Sequence, residues 1–276
     1  MDYLEFKIEC KPEFTEILIA ELAEIGFDSF LETDSGLEAY SQEDHFDREA
    51  YQEILDRYQE VAQIKVMEGK MPKVNWNEEW EKHYDPIQVG KEVYVRASFH
   101  PSKEDVKHEI VINPKMSFGT GHHATTYLML SHLLEIDHQG KSVIDIGAGT
   151  GILAIMAHKL GAKHIEAFDI DNWCVENGNE NFELNGMAGV KMGHGTIREV
   201  NPQGPFDIAL ANINKNVLLD EMEVYVNLLP TKGFLLLSGF YDHDIPEIQL
   251  RAESLGLNLK NQKVRDNWAA LVFEKA

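Results

Sequence analysis

Ser142-Val143-Ile144-Asp145-Ile146-Gly147-Ala148-Gly149-Thr150-Gly151-Ile152-Leu153-Ala154 is the stretch that decides the fold. A β-type apolar run ends in Asp145, glycines follow at the alternate positions 147, 149 and 151, and an apolar helix-like run begins. Glycine admits positive φ and lets a ligand come close to the backbone, as a strand-to-helix turn at a nucleotide site requires. A dinucleotide fingerprint would put its third glycine one place later, to seat a helix N-terminus on pyrophosphate. Ile152 stands there instead, and an acid precedes the first glycine by two residues. That pattern suits a cofactor without pyrophosphate whose amino and hydroxyl groups need acceptors. S-adenosylmethionine meets the description.

A second acid supports this cofactor. Residues 164–169 read as the next strand, with Asp169 at its carboxyl end, 18 residues after Gly151. In an open α/β sheet ligands bind beyond the carboxyl ends of the strands, and an acid there accepts both ribose hydroxyls. The competing role for Asp169 is a helix N-cap, although Asp171 or Asn172 stands better placed to cap the helix-like run 173–185.

Outward from this centre, strands are expected at 141–146, 164–169, 188–192, 206–211 and 233–239, with helices between them, followed by adjacent strands at 257–264 and 268–274. Such alternation predicts an α/β fold with a doubly wound, mostly parallel sheet and one antiparallel strand near its end. Two further strands are expected at 89–99 and 109–112. Ahead of them, period-two and helical patterns over residues 3–9, 13–25, 27–32, 37–41, 45–59 and 61–68 give the order βαββαβ, which predicts a small α+β ferredoxin-like domain. Met71-Pro72 ends that unit, and Trp76, Trp80 and Tyr84 fall on one face of a short linker helix. The expected divisions are 1–71, a linker at 72–86, and 87–276.

Charge is uneven across these divisions. Of the formal net charge of −22, residues 1–71 hold 6 basic and 19 acidic side chains, a net of −13. An acidic surface repels phosphate backbones, so direct nucleic-acid binding is not expected; it would attract a lysine-rich protein, or simply keep the chain in solution. The two cysteines, Cys10 and Cys174, have no disulfide or metal spacing. No run approaches the roughly 20 apolar residues of a membrane span, and the first residues lack signal-peptide character, so a cytoplasmic protein is expected.

Two more clusters carry chemistry. In Phe118-Gly119-Thr120-Gly121-His122-His123-Ala124-Thr125-Thr126, glycines and hydroxyls precede an apolar helix, where backbone N–H groups and threonines can meet a carboxylate such as that of methionine. The plainer reading is a helix entrance capped by Thr125 or Thr126. The histidines lack a third ligand at metal spacing, so no metal is expected. In Phe206-Asp207-Ile208-Ala209-Leu210-Ala211-Asn212-Ile213-Asn214, a buried strand delivers Asn212 to the sheet edge beside the glycine turn. There its amide can orient a neutral amine, or else cap the following helix.

Taken together, Phe118–Thr126, Asp145–Gly151, Asp169-Ile170-Asp171 and Ala211-Asn212-Ile213 resemble the bacterial ribosomal protein L-eleven methyltransferase family, of the class I S-adenosylmethionine-dependent type. The N-terminal unit and the Trp76/Trp80/Pro86 linker resemble it too, so the likeness spans essentially the whole chain. It implies a class I methyltransferase-type sheet and trimethylation of lysine side-chain and N-terminal amines of that basic ribosomal protein. It implies that the acidic N-terminal unit recognises the substrate and that the linker lets the catalytic part reach several amines. By motif position Thr126, Gly147, Asp169 and Asn212 correspond to the family's cofactor contacts. Asp145, Gly149, Gly151, Phe118 and Thr120 complete the candidate cofactor set, with Asn212 also the candidate catalytic residue. The chain departs from the family at Asn113–Ser117, where Asp-Pro-Gly-Leu-Ala is usual, at Ala124 for a proline, and at Asn214 for a leucine, which bears on the amine pocket. Other readings are a methyltransferase for another basic protein or a small amine, and a cofactor-binding ribosome assembly factor without turnover. A nicotinamide dehydrogenase is opposed by Ile152.

Overall fold

The computed structural model describes residues 3–43, 46–70, 84–113, 115, 119, 121–187 and 189–276. The expected linker helix, with Trp76 and Trp80, lies outside the described residues. The chain divides into two compact units, Met1–Tyr84 and Asp85–Ala276.

In the first unit, β1 (Tyr3–Glu9), α1 (Thr15–Glu24), β2 (Ser29–Thr33), β3 (Gly36–Gln42), α2 (Arg48–Ala62) and β4 (Lys65–Lys70) follow in chain order. The strands form an antiparallel sheet in the order β2-β3-β1-β4. Period-two alternation aims Phe6, Ile8, Leu37 and Ala39 at Leu18, Leu22, Tyr51 and Ile54 of the helices, which makes one apolar core. The second helix is displaced from the expected 45–59: the Asp47 side chain accepts from the Glu49 and Ala50 amides, which sets the start at Arg48.

The second unit is built on seven strands: β8 (Ser142–Ile146), β9 (His164–Asp169), β10 (Met192–His194), β11 (Ile208–Asn212), β12 (Phe234–Tyr241), β13 (Leu257–Arg265) and β14 (Trp268–Lys275). Their order is β10-β9-β8-β11-β12-β14-β13, with every pair parallel from β10 to β12 and β14 antiparallel to both its neighbours. The fold is therefore α/β with a mixed sheet. Helices α3 (Ala124–Leu133), α4 (Ile152–Lys159) and α5 (Asn172–Leu184) cover one face, and α6 (Ile197–Val200), α7 (Lys215–Asn227) and α8 (Ile245–Ser254) the other. Both faces being covered, the central strands read as continuous apolar runs: Val143 faces one core while Ile144 and Ile146 face the other.

Two expectations need correction. The strand expected at 188–192 is only Met192–His194, because the chain is still turning after α5, with the Val190 amide bonded to the Met187 carbonyl. The single strand expected at 89–99 is two, β5 (Ile87–Val89) and β6 (Val93–Arg96), antiparallel across a turn opened by Gly90 at φ +59°. With β7 (His108–Val111) they form a separate three-stranded sheet.

Register is what positions the site. Ile146 pairs with Phe168 and with Ala211, so the residues that follow, Gly147, Asp169 and Asn212, leave the sheet side by side. From β8 the order runs one way to β9 and the other way to β11, and that reversal opens a crevice at the carboxyl edge.

Candidate functional site

The glycine turn occupies that crevice. Gly147 has φ +67° and Gly151 φ +77°. A Cβ on Gly147 would lie 2.5 Å from Ile213 Cγ2, and one on Gly151 2.6 Å from Phe182 Cε1. Glycine is required at both for conformation and for space. The Gly147 and Ala148 amides each donate to the Phe168 carbonyl at 3.0 Å, which ties the turn to the end of β9.

The two acids separate in role. Asp145 is 1% exposed; its Oδ2 accepts from the Ala154 amide at 3.0 Å, within the first turn of α4, and its Oδ1 has no partner. Burial pushes this carboxyl up to about 7, the Asp169 carboxylate adds to the rise, and the Ala154 amide opposes it. Asp169 accepts from the Gly149 amide at 2.8 Å through Oδ2 and from the Asp171 amide at 3.0 Å through Oδ1. A carboxylate has about four acceptor sites, so each oxygen retains a lone pair. Asp171, not Asp169, caps α5, accepting from the Trp173 amide at 2.8 Å.

The threonine segment meets the turn from the side. The Thr150 hydroxyl donates to the Gly119 carbonyl at 2.6 Å. The helix entrance is capped by His123, whose Nδ1 accepts from the Thr125 amide, rather than by Thr125 or Thr126. Thr126 is fully buried with its hydroxyl oxygen unpartnered. Phe118 and Thr120 lie outside the described residues. A feature the sequence reading missed ties the end of β7 to α5: Asn177, Asn181 and Asn185, one helical turn apart along α5 and at its end, bond the backbone of Val111 and Asn113 at 2.7–3.0 Å. Their i, i+4, i+8 spacing was the available signal.

On the other side, Asn212 ends β11 half-buried, with its Oδ1 buried and unpartnered. It does not cap the next helix. Asn214 does, accepting from the Val217 amide at 3.2 Å.

These elements enclose a cavity of about 650 Å³, within the range of a small-molecule site. Of the expected residues, Gly147, Gly149, Asp169 and Asn212 line it, together with Asn214. Asp145, Thr126 and Gly151 are not on its wall and pack beneath it. Sequence reading missed His123, Trp268, Thr196, Ile197, Val217 and Glu221 on its wall. The last four come from loops and helices after β10 and β11, and no local motif marks them. Polar acceptors at the strand ends and apolar Ile146, Phe168 and Ile197 suit an adenosyl sulfonium, and Asn212 brings a buried oxygen without a partner to the wall. Among the described residues no cluster of histidine, cysteine or carboxylate could hold a metal, and no helix is long and apolar enough to cross a membrane.

Comparison with known proteins agrees with this chemistry. A family model described as Ribosomal protein L11 methyltransferase (PrmA) matches residues 3–276. A relative from Porphyromonas gingivalis named ribosomal protein L11 methyltransferase is 44% identical over 260 residues, covering 94% of this chain and 90% of the relative. One of the same name from Bacteroides fragilis is 40% identical over 99% of both chains. The crystal structure of ribosomal protein L11 methylase from Lactobacillus delbrueckii subsp. bulgaricus superposes with a TM-score of 0.64 at 27% identity, covering 70% of this chain and all of that one.

Proposed function

The chain belongs to the ribosomal protein L11 methyltransferase family, and on that premise we propose that it transfers methyl groups from S-adenosylmethionine to lysine side-chain and N-terminal amines of ribosomal protein L11. The observation that carries this reading is the cavity at the sheet's point of reversal, with Asp169 at the end of β9 and Asn212 at the end of β11, on either side of β8. S-adenosylmethionine, when bound, supplies a methyl carbon already activated by its sulfonium. The protein's share is to bind, align and desolvate, which are proximity effects. Asp169 accepts the ribose hydroxyls with the lone pairs its backbone partners leave. Gly147 and Gly149 let the backbone lie against the cofactor, Gly151 completes the turn, Asp145 ties it to α4 through the Ala154 amide, and Thr126 belongs to the cofactor set by motif position. Phe118 and Thr120 complete the cofactor set by their place in the Phe118–Thr126 motif. Asn212 accepts an N–H of the incoming amine and points its lone pair at the methyl.

The N-terminal unit recognises the substrate. Its βαββαβ succession and sheet order support a ferredoxin-like domain over 1–71, and its net charge of −13 suits a lysine-rich partner. Residues 72–86 act as the linker and 87–276 as the catalytic domain. The protein works in the cytoplasm, without direct contact to nucleic acid or membrane.

The test is the intact mass of L11 after incubation with the protein and S-adenosylmethionine. Shifts in methyl-sized steps are expected, and removal of residues 1–84 should abolish them while cofactor binding persists. An unchanged mass with the folded, cofactor-binding chain would overturn the substrate assignment. Full activity after the truncation would point to a small-amine substrate instead.

A further inference from the structure

Two aromatic rings, those of His123 and Trp268, stand on the cavity wall beyond the polar strand ends. His123 and Trp268 line the same cavity as Asn212. Their ring centroids are 4.7 Å apart with the planes at 68°. Tyr241 backs the indole at 4.2 Å, and Trp268 pairs with Tyr241 in the β12–β14 register. The indole also packs on the core beneath the sheet. It is thus fixed by a strand, a core and two neighbouring rings, and it is only partly buried.

Resting on the reading that amines are methylated in this cleft, we propose that Trp268, with His123, holds the methylated nitrogen by its ring face, so that the third transfer depends on Trp268 as the first depends on Asn212. The reason is the changing inventory of the nitrogen. A neutral primary amine carries two N–H groups, and the unpartnered Asn212 Oδ1 can accept one of them. In each transfer the nitrogen lone pair forms the N–C bond, the S–C bond breaks, and its electron pair goes to sulfur. The resulting ammonium must lose a proton to water before it can react again. After two transfers the neutral dimethylated amine, now tertiary, has no N–H left, and an amide oxygen has nothing to hold. An aromatic face needs no N–H: it packs the methyl groups, and it attracts the trimethylammonium product through the ring quadrupole.

The cavity also contains Asp169, Asp171 and Glu221, the last accepting from the Tyr225 hydroxyl at 2.6 Å. These carboxylates would attract any cation, so the test must separate their pull from that of the ring. The full chain, saturated with S-adenosylhomocysteine, is titrated by NMR with N-acetyl-trimethyllysine amide and with its neutral tert-butyl isostere. The parent should prefer the cation roughly fivefold or more. Trp268→Leu should erase the preference, and Trp268→Phe should keep most of it. An equal affinity for both probes in the parent, or a preference that survives Trp268→Leu, overturns the proposal.

A second readout follows the mass of L11 with time. Trp268→Leu should accumulate dimethylated amines, its third step slowed about tenfold more than its first, whereas Asn212→Ala should slow the first step most. Equal slowing of all three steps by Trp268→Leu would also overturn it. Should the parent leave L11 unmodified, the substrate reading fails, and the choice between cation and isostere still decides the role of the ring.

Discussion

Asp145 stands one residue before the end of β8 and Asp169 ends the adjacent β9, and their partners divide their work. Asp145 is sealed under the glycine turn with one donor, and burial holds its proton up to a pH of about 7, against an ordinary value of 3.8. Below the ordinary value both the folded and the unfolded chain keep the proton. Between there and about 7 only the folded chain keeps it, so stability falls as pH rises, by at most ~1.4 kcal/mol per unit; above 7 the loss is complete. Asp145→Asn has no such proton to lose. Urea unfolding of both forms across this range should show the gap moving in favour of the variant until pH 7 and then levelling, whereas a constant gap would mean that the carboxyl is ionised throughout. Asp169 instead faces the cavity, and Asp169→Ala should weaken S-adenosylmethionine binding by ~1.5–3 kcal/mol, the scale of lost hydrogen bonds to a charged group. Unchanged affinity in a direct titration would remove it from the ribose.

At the scale of elements, the junction of β11 and α7 assigns separate tasks to two asparagines that the sequence places two apart. Asn212 faces the cavity, and Asn214 closes the first turn of α7. Asn214→Ala should therefore cost about 1 kcal/mol in denaturant unfolding, and Asn214→Asp should restore most of it. If alanine costs nothing, the cap is not holding the helix. This junction also shows what could be read in advance. The glycine spacing, Asp169 and Asn212 were legible because each sits where a strand ends, and apolar runs mark strand ends well. The caps at His123 and Asn214 were not, since Thr125, Thr126 and Asn212 are equally good capping types, and the choice turns on where the helix begins by a residue or two. The break between β5 and β6 hid behind Gly90, whose flanks are both β-type. Trp268 was out of reach altogether: it joins a site built around residues 147–169 only because β14 inserts beside β12, a pairing no local pattern reveals.

For the whole molecule, the division of charge and the division of structure run together. Residues 1–71 carry a net −13 within one compact unit, while the crevice and its cofactor-facing groups belong wholly to the other. Partner attraction and methyl transfer can therefore be separated by experiment, and the cofactor cavity is the part on which both proposals stand. Calorimetric titration of the full chain with S-adenosylmethionine, beside a nicotinamide dinucleotide, tests it most directly. One molecule of S-adenosylmethionine should bind per chain and the dinucleotide should give no heat. Silence with S-adenosylmethionine, or saturable binding of the dinucleotide in its place, would contradict the account.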